Sequence, residues 1–337
     1  MRRTMTRDPI HLLPEWTPQA AVWVGWPRLA EEWGADLDGA RQEIADFVRT
    51  LARHVPVRIA AGDSDAARQA QRLCGAGVDV VEIPTGDIWL RDTGPLFGHL
   101  ADGKAAAAAF GFNGWGGKYD MPGDRETAPA LAEWEGWPCR THMPVLEGGA
   151  LEVDGTGLAL TTRSCLLNPN RNGWDEAAAE AVLRDALGLS RVVWIEEGLA
   201  GDHTDGHIDN IARFIAPGHV VCQAPSGRDD PHAVRLDEIA RQLGAAGLTV
   251  SRIPSPGAVL DHDGHPLPAS HMNFLMTEGA VLVPVFDGER GSAACEALAA
   301  LLPDRHIEAL AATHILRGGG GAFHCMTREV PRLPLED

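Results

Sequence analysis

With 337 residues, 45% of them apolar, the chain has material for a sizeable core as one large domain or two ordinary ones. Its 47 Asp and Glu against 29 Lys and Arg give a formal net charge of −18, a field that repels phosphate backbones and anionic lipid. Nucleic acid and membrane are set aside as partners on that ground, and a small cation suits the charge better. No apolar run follows Arg2, Arg3 and Arg7, so no signal peptide is read. The longest apolar stretch, residues 279–286, is too short to span a bilayer and reads as a buried strand. The six cysteines (Cys74, Cys139, Cys165, Cys222, Cys295 and Cys325) form no C-x-x-C pair, so neither a zinc ribbon nor a disulfide framework is indicated. A reducing cytoplasm is the expected compartment.

In chain order, residues 38–53 carry Ala40, Ile44, Phe47, Val48 and Leu51 on one helical face. A strand follows over 55–61. Ser64 is read as the cap of a second helix ending near Gly75, and a strand over 78–84 comes next. The run of alanines at 105–109 reads as a strand edge or a tight packing site. The helix-then-strand step returns four times, with helices beginning near Asp124, Gly173, Arg235 and Gly291. Their strands lie near 142–146, 191–195, 248–253 and 305–309. Counted with the helix at Ser64, these make five units, roughly 50–60 residues apart. Alternation of this kind means an α/β fold. A plain parallel sheet and a ring of five units about an axis both satisfy it. No linker or composition shift divides the chain, so residues 1–337 are read as a single domain.

A polar loop follows each unit's strand. They contain Asp92 within Trp89-Leu90-Arg91-Asp92-Thr93-Gly94-Pro95, Glu147 within Leu146-Glu147-Gly148-Gly149, and His207 and Asp209 within residues 201–210. The fourth, weaker, holds Asn273, and the fifth is a run of four glycines leading to His324-Cys325. In a ring, equivalent positions meet near the axis, so residues spread over most of the chain would share one pocket. Their chemistry is coherent. A guanidinium presents paired N–H donors that carboxylates bind in bidentate fashion, and Asp92 and Asp209 would grip it. Cys325 would attack its central carbon as a thiolate, favoured by the bound cation and a protonated His207. His207 would protonate the departing ammonia and then activate water, with Glu147 orienting and charging it. Gly320 and its neighbours would hold the cysteine at a tight turn, or form a flexible hinge. Trp89 and Trp115 would wall a cationic ligand.

Taken singly, each residue has a structural reading: a turn aspartate, an exposed glutamate, a core cysteine, a hydrogen-bonded histidine, core tryptophans. His203 and His207, four apart among Asp202, Asp205 and Asp209, also raise a zinc reading. Gly206 and Thr204 argue against the helix that such a pair needs.

An ordered set of motifs resembles one family, the agmatine deiminases of the bacterial peptidylarginine-deiminase-like group. It runs from Leu13-Pro14-Glu15-Trp16-Thr17-Pro18-Gln19-Ala20-Ala21-Val22-Trp23 and Gly25-Trp26-Pro27 through Trp89 to Pro95. Phe112-Asn113-Gly114-Trp115-Gly116-Gly117-Lys118-Tyr119, Leu146 to Gly149 and Leu166-Leu167-Asn168-Pro169-Asn170-Arg171-Asn172 follow. Thr204 to Asn210 and Gly319 to Thr327 complete it. The resemblance implies a five-bladed, pseudo-symmetric α/β propeller, the pentein fold, with neither metal nor organic cofactor. It implies Asp92, Glu147, His207, Asp209 and Cys325 as the site, Trp89 lining the channel, and a homodimer. The implied reaction turns agmatine and water into N-carbamoylputrescine and ammonia. Arginine, peptidyl-arginine or another guanidine are alternative substrates, and a non-catalytic binding module is a further alternative. One position departs from the pattern: family members carry an acid where His203 stands, suited to the substrate's distal ammonium. A protonated His203 would repel that amine, so tail recognition is expected to differ here.

Overall fold

The computed structural model describes residues 8–333. These form five separate sheets, each built on the same plan. An antiparallel pair is followed by a crossover helix and a strand parallel to the second of the pair, as a right-handed crossover requires a helix to span parallel neighbours. In the second blade, Leu96–His99 pairs with Ala105–Gly111, and helix Asp124–Trp134 leads to Cys139–Val145; the short strand His11–Leu12 adds an outer edge. The third has Glu152–Val153, Leu158–Thr162, helix Glu176–Leu187 and Arg191–Ile195. The fourth has Ala212–Ala216, His219–Ala224, helix Ala233–Ala245 and Thr249–Pro254. The fifth has Leu275–Met276, Ala280–Val285, helix Gly288–Leu301 and His306–Ala311.

The first blade joins the two ends of the chain. Thr327–Pro331 pairs antiparallel with Gln19–Gly25, which runs parallel to Val57–Ala61 through helix Leu37–Leu51. The ring reading is therefore correct and the plain parallel sheet is not. The unit at Ser64 needs correcting: the crossover equivalent to the other four is Leu37–Leu51, while helix Ser64–Cys74 and strand Asp79–Glu82 extend this blade outward. The cap of that second helix is Asp63, whose carboxylate accepts from the Ala66 amide at 2.8 Å, rather than Ser64. The alanine run lies inside its sheet, between Leu96–His99 and Cys139–Val145, and not at an edge. Small side chains there let the helix above it pack closely.

Helix Leu37–Leu51 shows why the apolar face predicts its place. Ala40, Ile44, Phe47, Val48 and Leu51 are all fully buried, each large one worth about 1.5–3 kcal/mol of burial. Phe47 packs on Phe323 with ring centroids 4.5 Å apart. This crossover helix thus supports the connector carrying Cys325 two residues on.

Candidate active site

Each of the five connectors between blades delivers polar side chains to one place, and their contacts form a closed circuit. Asp92 sits on the one-turn helix Leu90–Thr93 between blades one and two. Its Oδ1 accepts from the Gly149 amide at 2.9 Å, in the next connector, and lies 3.7 Å from His207 Nδ1 in the third. Asn210, also in the third, accepts from Asn273 Nδ2 of the fourth at 2.8 Å. Asn273 Nδ2 also points at Cys325 Sγ, 3.0 Å away, while its Oδ1 takes the Cys325 amide at 3.2 Å. The Arg91 amide donates to the Cys325 carbonyl at 3.0 Å and closes the circuit from the fifth connector to the first. The weak fourth loop is therefore in phase with the rest, with Asn273 against the sulfur.

Gly149 is necessary to this junction. A Cβ there would come within 2.5 Å of His207 Nδ1, 2.9 Å of Asp92 Oδ1 and 3.1 Å of Asp209 Oδ2. In the fifth connector, helix Thr313–Gly319 ends at Gly320, whose φ of +82° turns the chain toward Cys325. The tight-turn reading of the glycine run holds. Gly319 and Gly321 leave room for the Trp89 indole, which their added Cβ atoms would meet at 2.3 and 2.6 Å.

A cavity of about 160 Å³ leads from the surface to Cys325. Trp89, Trp115, Tyr119 and Leu267 are among its walls, with Gly320 and His203 nearer the mouth. Trp115 is more than a wall. It adopts a φ of +52°, a conformation that bulky residues rarely take, and donates its indole N–H to Asp92 Oδ2 at 2.9 Å. Trp89 donates to Asp87 Oδ2 at 2.9 Å and stacks on Trp33.

The polar atoms around the cavity floor are not all satisfied. Asp209 Oδ1 and Glu147 Oε2 are buried without a hydrogen-bond partner among the described residues, while His207 is hydrogen-bonded to the Cys165 sulfur. Buried groups of that kind normally find partners, and a bound polar ligand would supply them. Asp209 Oδ2 is 3.6 Å from Cys325 Sγ and 2.8 Å from His324 Nδ1. His324 Nε2 in turn meets Glu15 Oε2 at 2.7 Å, and Glu15 is held by Arg91 and Arg213. This buried chain beneath Asp209 was not read in the sequence. Glu15 lies more than three hundred positions from His324, and only ring closure brings them together.

Charge follows from these neighbours. Burial, then the Asp209 and Asp92 carboxylates, pushes the Cys325 thiol well above the ordinary thiol value. The free site therefore holds a thiol, and the thiolate forms when a bound cation offsets the two carboxylates. Burial alone would make His207 less basic, but Asp92, the Cys165 sulfur and Asp209 outweigh it and hold the imidazole well above its usual value.

Glu147 also differs from expectation. It is fully buried, but its Oε1 is bound by Arg171 Nε at 2.7 Å, and no hydrogen bond joins it to His207 among the described residues. It lies near the ring, its carboxylate, the Cys165 sulfur and a His207 ring nitrogen all within 4.8 Å of one another. Arg171 had no signal in the sequence beyond its motif, and Cys165, which precedes that motif, had none. The zinc pair does not form: His207 is buried beside Asp92, whereas His203 is exposed and its Nδ1 faces the Tyr119 hydroxyl at 3.0 Å.

The sequence profile of the Porphyromonas-type peptidyl-arginine deiminase family matches residues 11–331. The chain belongs to this family. It is 33% identical to the agmatine deiminase of Pseudomonas putida strain F1, over 98% of each chain. Among solved structures, the agmatine deiminase of Enterococcus faecalis superposes with a TM-score of 0.91 at 27% identity, covering 97% of both chains. A Cys-to-Ser form of the C. jejuni agmatine deiminase with substrate bound superposes at 0.89 and 25% identity, covering 99% of both. The fold is the pentein α/β propeller of these structures.

Proposed function

We propose that this family member hydrolyses agmatine to N-carbamoylputrescine and ammonia, with Cys325 as nucleophile. The reading is carried by one observation: the buried Cys325 sulfur at the floor of an aromatic-walled cavity, lined also by Asp92, with Asp209 Oδ2 3.6 Å from it. Such a thiol is inert until a cation enters, and a guanidinium is the cation that Asp92 and Asp209 fit. The P. putida and E. faecalis proteins bearing the name agmatine deiminase support the choice of substrate.

The guanidinium lies between Asp92 and the free Oδ1 of Asp209, and its charge offsets theirs. The Cys325 thiol then loses its proton to solvent, with the Asn273 amide directed at the sulfur. The thiolate forms a C–S bond to the guanidine carbon. His207, already protonated, gives its proton to the departing nitrogen as the C–N bond breaks and ammonia leaves. The imidazole, now neutral, takes a proton from water as the oxygen adds to the same carbon. Breaking the C–S bond returns the thiolate, the remaining hydroxyl proton passes to solvent as the C=O forms, and a ureido group is left on the product. Desolvation of the cavity strengthens each of these charge contacts.

The reading treats the whole chain as one catalytic unit, working as a homodimer in the cytoplasm. No helix among the described residues is long and apolar enough to cross a membrane. The test is to incubate wild type and Cys325→Ala with agmatine, arginine and an arginine peptide, with and without chelator. Chelator-resistant release of ammonia and ureido product from agmatine, lost in the variant, is expected. Turnover of arginine or the peptide alone would move the substrate, and no turnover of any would favour a binding role.

A further inference from the structure

We propose that Glu32 is the specificity-determining residue of this site, receiving the distal ammonium of the guanidine substrate at the mouth of the cavity. The inference rests on the agmatine reading and adds the tail contact. The carboxylates lining the cavity are Asp92, Asp87 and Glu32. Asp92 is at the nucleophile end. Both oxygens of Asp87 are committed, Oδ1 to the Trp33 indole at 3.0 Å and Oδ2 to the Trp89 indole at 2.9 Å. Glu32 is exposed and makes no ion pair among the described residues.

The acids of the loop around His203 are spent on the loop itself. Asp202 Oδ1 takes the Thr204 amide and hydroxyl at 2.9 and 2.6 Å, and its Oδ2 takes Asn210 at 3.1 Å. Asp205 is bound by Lys118, Asn170 and Arg171. At His203 itself the ring faces Tyr119, and the carbonyl takes the Lys118 ammonium at 2.7 Å. The oxygens of both acids on this wall are therefore already engaged within the protein.

Glu32 is also well placed and steady. Its short helix, Ala30–Trp33, is fixed by Trp33, which stacks on Trp89 with centroids 6.0 Å apart. Its charge is felt on both sides of the cavity. Burial raises Asp87 to about 6, and burial likewise raises Tyr119, with Glu32 adding to both shifts. Arg317 shares the lining. Its charge would attract a carboxylated tail, so arginine is included in the test.

The experiment compares wild type, Glu32→Gln and Glu32→Asp on agmatine, on butylguanidine, which has the same chain without the ammonium, and on L-arginine. Glu32→Gln should raise the agmatine KM roughly tenfold, the range of a partly exposed charged hydrogen bond, with kcat little changed. Butylguanidine kinetics should not move, and Glu32→Asp should recover part of the agmatine loss. Equal losses on agmatine and butylguanidine, or no change on agmatine, would overturn the assignment. A Glu32-dependent preference for another amine-tailed guanidine, with agmatine ignored by the wild type, would overturn the agmatine reading and keep this one.

Discussion

Replacing Gly149 with alanine probes the junction more sharply than removing any acid. The added Cβ would come within 2.5 Å of His207 Nδ1, 2.9 Å of Asp92 Oδ1 and 3.1 Å of Asp209 Oδ2. Real Cβ contacts are rarely below about 3.4 Å, so the imidazole must retreat by roughly 1 Å and the carboxylates by a few tenths. The surroundings give little room, since His207 and Asp209 are fully buried. A displacement near 1 Å at a reacting group costs on the order of 10²-fold in rate. Overpacking at a buried site costs about 1–3 kcal/mol of stability. Steady-state deimination of agmatine should fall by about two orders of magnitude in kcat/KM, mostly in kcat. Denaturant unfolding should give only the modest stability loss. A Gly149→Ala protein with wild-type kcat/KM would refute the convergence of these three side chains on Gly149.

Arg171→Ala leaves the Glu147 carboxylate buried and unpaired and also removes the bonds to Asp205 and the Thr204 carbonyl. Chemical denaturation should show a loss of about 3–5 kcal/mol. Because His207 is held protonated above its unfolded value, its contribution to stability is complete below about pH 6.5 and is lost as pH rises through the folded value. Unfolding free energy measured between pH 6 and 8.5 should therefore decline, and Asp92→Asn should flatten that slope. Gly244 is exposed in helix Ala233–Ala245, with nothing near its would-be Cβ, so Gly244→Ala should stabilise by about 0.5–1 kcal/mol without altering kinetics.

The sequence carried the repeat and the phase of its connectors because both are written in local periodicity. Asp92, His207, Asp209, Asn273 and Cys325 could be picked out by their equal place after each unit's strand, and they meet. Partner choice across connectors is not local. Spacing could not reveal that Glu147 would be taken by Arg171, or that Glu15 would reach Asp209 through His324. Strand Thr327–Pro331 carried no sign that it pairs with Gln19–Gly25, although this pairing closes the ring. The protonation state of Cys325 in the free site is not legible in the sequence for a related reason. The thiol is raised first by burial and then by two carboxylates from other connectors, Asp209 and Asp92, a balance that spacing does not reveal.

The central claim, that agmatine is deiminated through a covalent bond to Cys325, is tested most directly by intact-protein mass spectrometry on enzyme acid-quenched during turnover. The account predicts one added mass equal to agmatine less ammonia, localised to Cys325 by peptide mapping, and neither adduct nor ammonia with Cys325→Ala. Continued ammonia release by Cys325→Ala, with no adduct on either protein, would contradict it.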